Sequence, residues 1–138
     1  MTIPTLKESN FTLTVDLPTT PYEEAIVKVK EALANEGFGV LTEIDVKTTM
    51  KKKLDVDERD YIILGACNPR LAHHALSSLP AIGLLLPCNV VVAADDNAGS
   101  TVGIIDPVAM FSVVDIEGLA PLAEEVRDLL IRVAKSLA

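Results

Sequence analysis

"ACNPRLAHHALSSLPAIGLLLPCN", residues 66–89, decides between two folds. The β-rich segment "DYIILGA" precedes it and "NVVVAAD" follows, so it joins two strands. Its first half reads as a helix started by Asn68-Pro69, with Leu71, Ala72, Ala75, Leu76 and Leu79 turned inward. From Pro69 to about Leu79 such a helix runs back along the sheet by about 16 Å. If the next strand began at that point, the two strands would be parallel, as in a right-handed βαβ unit. "PAIGLLLP" intervenes, however, and if extended its residues span about 26 Å, enough to return the chain to the end it left. The spacing therefore predicts an antiparallel pair, with Cys67 and Cys88 within about 10 Å of each other at one end of the sheet. That is close enough for a shared site without implying a disulfide.

The flanking sequence fits an antiparallel sheet. "FTLTVDL" alternates, with Phe11, Leu13, Val15 and Leu17 on one face. Thr20-Pro21-Tyr22-Glu23 has the form of a capping box with Pro at the first helical position. The helix it predicts carries the stripe Tyr22, Ala25, Ile26, Val29, Ala32, Leu33, and Gly37 stops it. "FGVLTEIDV" alternates again, with Phe38, Val40, Thr42 and Ile44 on one side and Leu41, Glu43 and Asp45 on the other. Asp45 is placed to cap a short helix with Val46, Met50 and Leu54 inside. "NVVVAAD" and "STVGIID" form a hairpin across "DDNAG". A loop over 107–118, with Asp106-Pro107 as its opening turn, leads to a last helix from about Leu119. Its stripe is Leu122, Ala123, Val126, Leu129, Leu130, Val133 and Leu137. The order is β-α-β-α-β-α-β-β-α. More strands than βαβ alternation allows, and a hairpin, predict an α+β fold: a mainly antiparallel sheet with helices packed on it. A doubly wound parallel sheet is the alternative.

The 138 residues make one domain, 1–138, long enough to bury a core without staples. With three Phe, two Tyr and no Trp, that core is built from Val, Ile, Leu and Ala. A formal charge of −8 disfavours nucleic acid, which needs a clustered positive field. The basic run Lys47, Lys51, Lys52, Lys53 lies among Glu43, Asp45, Asp55, Asp57, Glu58 and Asp60, and reads as a solvated helix face. No apolar stretch is long enough to span a membrane, and the first residues lack the pattern of an export signal. The chain is accordingly read as cytoplasmic, and its two cysteines as thiols. No Gly-rich phosphate loop follows a strand.

Few residues are placed to carry chemistry. Cys67 precedes a helix N-terminus, where amide groups and the helix dipole favour a thiolate; its ordinary alternative, and that of Cys88, is a small buried hydrophobe. His73 and His74 are adjacent, so they cannot share a helix face, and they read as surface residues. Zinc lacks both ligand spacing and a fourth ligand, and Cu(I) has only the thiolates in its favour. Glu43 and Asp45, two residues apart on a strand, can act as acid and base, or form the wet face of a sheet. Asn68 reads as a helix cap, and Asn89 as a hydrogen-bonding residue at the start of a strand.

"GFGVLTEIDV", "GACNPRLAHHAL", "GLLLPCNVVV" and "IIDPVAMF", in this order, resemble the bacterial and archaeal family called domain of unknown function three-hundred-and-two. The resemblance runs from about Thr12 to the C-terminus. It implies an antiparallel sheet with helices against it, in the manner of the TATA-binding-protein class, and a homodimer. Both Cys-Asn pairs belong to its motifs, as do Glu43, Asp45, Asp106 and Pro107, which favours a shared site. Taken together, the expected function is that of a ligand-binding or sensing module. Its site lies at the sheet edge, formed by Cys67, Asn68, Cys88 and Asn89 with Glu43 and Asp45, and its partners are a small molecule and a second copy. A structural role without a small-molecule site comes second. A thiol enzyme with Cys67 as nucleophile and Cys88 as resolving thiol comes third. No cofactor is named by the sequence.

Overall fold

The computed structural model describes residues 3–113 and 118–138. Five strands, β1 (Thr12–Leu17), β2 (Gly39–Asp45), β3 (Tyr61–Cys67), β4 (Cys88–Ala94) and β5 (Ser100–Ile105), form one sheet in the order β1-β5-β4-β3-β2. Every neighbouring pair is antiparallel. The helices are α1 (Tyr22–Asn35), α2 (Val46–Leu54), α3 (Pro69–Ser78), α4 (Pro107–Phe111) and α5 (Leu119–Leu137). The fold is the α+β arrangement the sequence predicts.

The register explains the core. One rung across the sheet carries Val15, Val102, Val92 and Ile62, and the next carries Leu13, Ile104, Val90 and Leu64. All of these but Leu13 are buried, and they meet Ala25, Val29 and Leu33 of α1 and Val126, Leu130 and Val133 of α5. Each fully buried side chain of this kind contributes roughly 1.5–3 kcal/mol. A third rung, Val40 with Ala66 and Cys88, has small residues on β3 and β4.

Several local expectations give way to packing. Thr20 does not cap α1: the helix begins at Tyr22 with no side-chain cap, and Thr20 is buried, its carbonyl accepting from the Ser100 hydroxyl at 2.8 Å. Phe11 lies outside β1 and is exposed. In β2 the register shifts between Val40 and Thr42, a bulge at Leu41. The bulge turns Val40, Glu43 and Asp45 to the side of Ala66, Leu64 and Ile62, so the simple alternation fails. Asp45 does cap α2, accepting from the Thr48 amide at 3.0 Å, but Leu54, the last helical residue before Asp55 turns left-handed (φ 52°), is exposed and not inside. The connector after α3 is not extended. Pro80–Leu85 is a 3-10 helix, and the antiparallel return is completed by Leu86-Pro87. The loop read over 107–118 opens with α4, and Asp106 is its cap, accepting from the Val108 amide at 2.9 Å. Residues 114–117 of that loop lie outside the described residues. The lysines of α2 are exposed, as expected, and pair with acids: Lys51 with Asp55 and Asp57, and Lys47 with Asp60.

Arg59 is buried and fastens the segment before β1 to the β4–β5 turn. It donates to the carbonyls of Ile3 and Ala94, both at 2.9 Å, and to Asp96 at 2.9 Å, while Glu58 accepts from the Ile3 amide at 2.8 Å. Arg59→Ala leaves those carbonyls without their donor. It is expected to lower stability by about 2–4 kcal/mol in urea unfolding, with the Ile3 amide losing protection from hydrogen exchange. Unchanged stability would show that the staple carries no energy.

Candidate functional site

The small third rung leaves space beneath the helices. β3 ends at Cys67, Asn68 caps α3 by accepting from the Leu71 amide at 3.4 Å, and Pro69 supplies the first helical residue. Here α3 lines the space with Ala72 and Ala75 between Leu71 and Leu76, above Ala66 and Cys88. The result is a cavity of about 270 Å³, open on one side. Phe38 and Leu41 close it at the β2 end, Leu86 and Pro87 below, and Phe111, Leu122 and Val126 on the side of α4 and α5. Leu41 and Leu76 stand at its border with 68% and 40% of their surfaces exposed, so its margin is apolar as well as its walls.

Two glycines let the chain close around this end. Gly37 has φ +83°, and the Asn68 amide nitrogen lies 3.1 Å from where a Cβ would stand. At Gly65 a Cβ would meet the Thr42 hydroxyl and, at 2.7 Å, the ring of Pro87. The α4 wall is held by an ion pair, Arg127 Nε to Asp106 Oδ2 at 3.1 Å, in which the same carboxylate that caps α4 ties it to α5. Both partners are partly shielded from solvent, which favours a firmer contact than a surface pair makes.

Ala66 stands opposite Cys88, so the Cα atoms of Cys67 and Cys88 lie about 6 Å apart. Cys88 is enclosed beneath the helices, and Cys67, the last residue of β3, pairs with Gly39. Both border the cavity as free thiols, Cys88 buried and Cys67 half-buried. Burial, with the neighbouring Cys67 adding to it, pushes the Cys88 thiol up to about 11. It is therefore protonated near neutrality and behaves as a small hydrophobe.

Of the residues the sequence suggested, the structure brings together Cys67, Asn68 and Cys88. Asn89 pairs with Gly65 and is exposed on the other face of the sheet. Asp45 pairs with Ile62, about 16 Å along β3 from Cys67, and Glu43 forms an ion pair with Lys30 of α1 at 2.7 Å. These carboxylates stand apart from the cavity, and Asp45, after burial itself, helps raise the pKa of the Tyr22 phenol. His73 and His74 are exposed on α3. Among the described residues no cluster of three or more His, Cys, Asp or Glu is arranged to hold a metal. Missed by the sequence reading were the apolar walls. Phe38 and Phe111, two of the three phenylalanines, were available as a signal, as was the spacing of Leu122 and Val126 by one helical turn.

A family model described as Domain of unknown function DUF302 matches residues 13–137. The chain belongs to this family. A crystal structure of an uncharacterized conserved protein DUF302 from Bacillus stearothermophilus is similar with a TM-score of 0.85 and 27% sequence identity, covering 94% of this chain and 100% of that one. No curated protein matches. None of the described helices of this DUF302 chain is long and apolar enough to cross a membrane.

The state of Cys88 sets a pH dependence. Its thiol ionises near 9.0 in the unfolded chain but near 11 when folded, so above about pH 9 the unfolded state gives up a proton that the folded state keeps. Stability contributed by Cys88 is then full below about pH 9 and falls by about 2 kcal/mol as pH rises toward about 11. The stability difference between wild type and Cys88→Ala is expected to shrink over that window; a constant difference would mean that the thiol is not desolvated.

Proposed function

We propose that this protein is a small-molecule binding or sensing module whose site is the cavity bordered by Cys67, Asn68 and Cys88. The observation that carries this reading is the cavity itself. Protein interiors are close-packed, with few voids larger than a water molecule. Space on this scale, apolar and open on one side, has the character of a ligand pocket at the small end of the usual range. A thiol enzyme has less in its favour, since the expected resolving thiol, Cys88, is buried and protonated and, among the described residues that border the cavity, none is a base for Cys67.

Ala72, half-buried on α3, is a position from which the cavity can be filled. Thermal-shift screening of small apolar fragments is expected to find compounds that stabilise the wild type and lose their effect in Ala72→Phe. Solvent extraction of the purified protein should release a small molecule absent from that variant. If no fragment shifts the wild type and Ala72→Phe is simply more stable, the space is a packing defect and the structural reading replaces this one.

Homodimerisation belongs to the same proposal. On the sheet face away from α1 and α5, Ile44, Ile63, Val91 and Gly103 form one rung. Ile44 is 49% exposed, Ile63 and Val91 are half-buried, and the Leu6 side chain lies against Gly103. A second copy seated there would cover this row. Light scattering is expected to return a dimer that Ile63→Lys splits, and the 14.8 kDa monomer mass for the wild type would refute the association.

A further inference from the structure

Resting on the reading of the cavity as a binding site, we infer its ligand class: an uncharged, hydrocarbon-like molecule of about ten non-hydrogen atoms. Size comes first. A cavity of about 150 Å³ lined by aliphatic and aromatic side chains holds benzene, with its six heavy atoms, so at similar packing the 270 Å³ here takes about ten.

Polarity follows from what the walls lack. Among the described residues that border the cavity, the only polar side chains are Asn68 and the two thiols, and none carries a fixed charge. The Asn68 side-chain oxygen is committed to the Leu71 amide and its backbone oxygen to the Ala72 amide at 2.9 Å. Ala66 and Cys88 are paired across the β3–β4 ladder, and the Leu86 amide donates to Gly83. Among the described residues a carboxylate or phosphate entering this space meets no cation, and the Asn68 side-chain NH2 is the one amide donor left to it, so most of its desolvation goes uncompensated. Nor does the margin offer a ready anchor. Leu41 and Leu76 are apolar, and Arg70, in the first turn of α3, is already paired with Glu125 at 2.9 Å. The chain's charge of −8 further disfavours anions at long range.

Straight-chain alkanols from hexanol to dodecanol, titrated calorimetrically into the full chain, test this directly. Affinity is expected to rise about fourfold per methylene until the chain reaches about ten heavy atoms, then level off. Octanoate and octylammonium at neutral pH are expected to bind at least tenfold more weakly than octanol. Ala72→Phe should abolish octanol binding, and Ala72→Leu, which fills less of the space and perturbs the fold less, should weaken it. If octanoate or octylammonium binds as tightly as octanol and both Ala72 variants weaken it, the ligand class is wrong while the site stands. If none of these compounds binds, or if alkanols bind equally to wild type and both variants, the site falls together with the inference.

Discussion

The pairing of Ala66 with Cys88 is the contact on which this end of the molecule depends. It sets β3 and β4, two central strands of the sheet, antiparallel and in register. From there the ladder outward aligns Leu64 with Val90 and Ile104, and Ile62 with Val92 and Val102. A slip of one residue would send each of these to the opposite face of the sheet and leave α1 and α5 without a partner surface. The same pairing brings together the two small residues that terminate the core. Where the sheet narrows from Leu64 and Val90 to Ala66 and Cys88, the overlying helix sets Ala72 and Ala75 between Leu71 and Leu76, and the cavity follows from the shortage of side-chain volume at those four small residues.

Cys88 illustrates how position determines chemistry. Beside it, Cys67 has partial access to solvent and precedes a helix, whereas Cys88 is enclosed by apolar groups and holds its proton to about pH 11. The two thiols border one cavity in unlike environments. A resolving thiol needs access and ionisation, and Cys88 has neither. As a wall residue it meets a different requirement: small, apolar, and able to line a void without demanding a hydrogen bond.

Most of the architecture was legible because it rests on periodicity. The stripe of α5 and the alternation of β4 and β5 are strong signals, and the antiparallel return to Cys88 was readable from the number of residues available for it. The connector achieves that return as a 3-10 helix, not as an extended segment, a local choice that chain length does not specify. The bulge at Leu41 was hidden because one inserted residue leaves the pattern on either side intact while exchanging its faces. Thr20 had the chemistry of a cap, but its burial against Ser100 overrode it. For the candidate site the difficulty is of another kind. Polar residues draw attention in a sequence, which led to Glu43, Asp45 and Asn89, yet the site is made by what is missing. Ala66, Ala72 and Ala75 count as core positions in any hydrophobic pattern, and nothing in the pattern records that together they are too small to fill it.

A closed, empty apolar space of about 270 Å³ would cost on the order of 6 kcal/mol, a large share of the roughly 5–15 kcal/mol that holds a domain folded. Opening to solvent on one side lowers that cost, although apolar walls offer water few partners. A ligand at a hundred times its dissociation constant offsets only about 2.7 kcal/mol. Occupancy alone therefore does not hold the cavity open; the frame around it must do so in the empty state as well. That frame is visible in the polar contacts just outside the apolar walls: Asn68 fixing the start of α3, and Asp106 both capping α4 and gripping Arg127 of α5. Because these contacts fasten the helices at their ends, Ala72 and Ala75 stay apart from Ala66 and Cys88, and the helices do not collapse into the gap between them.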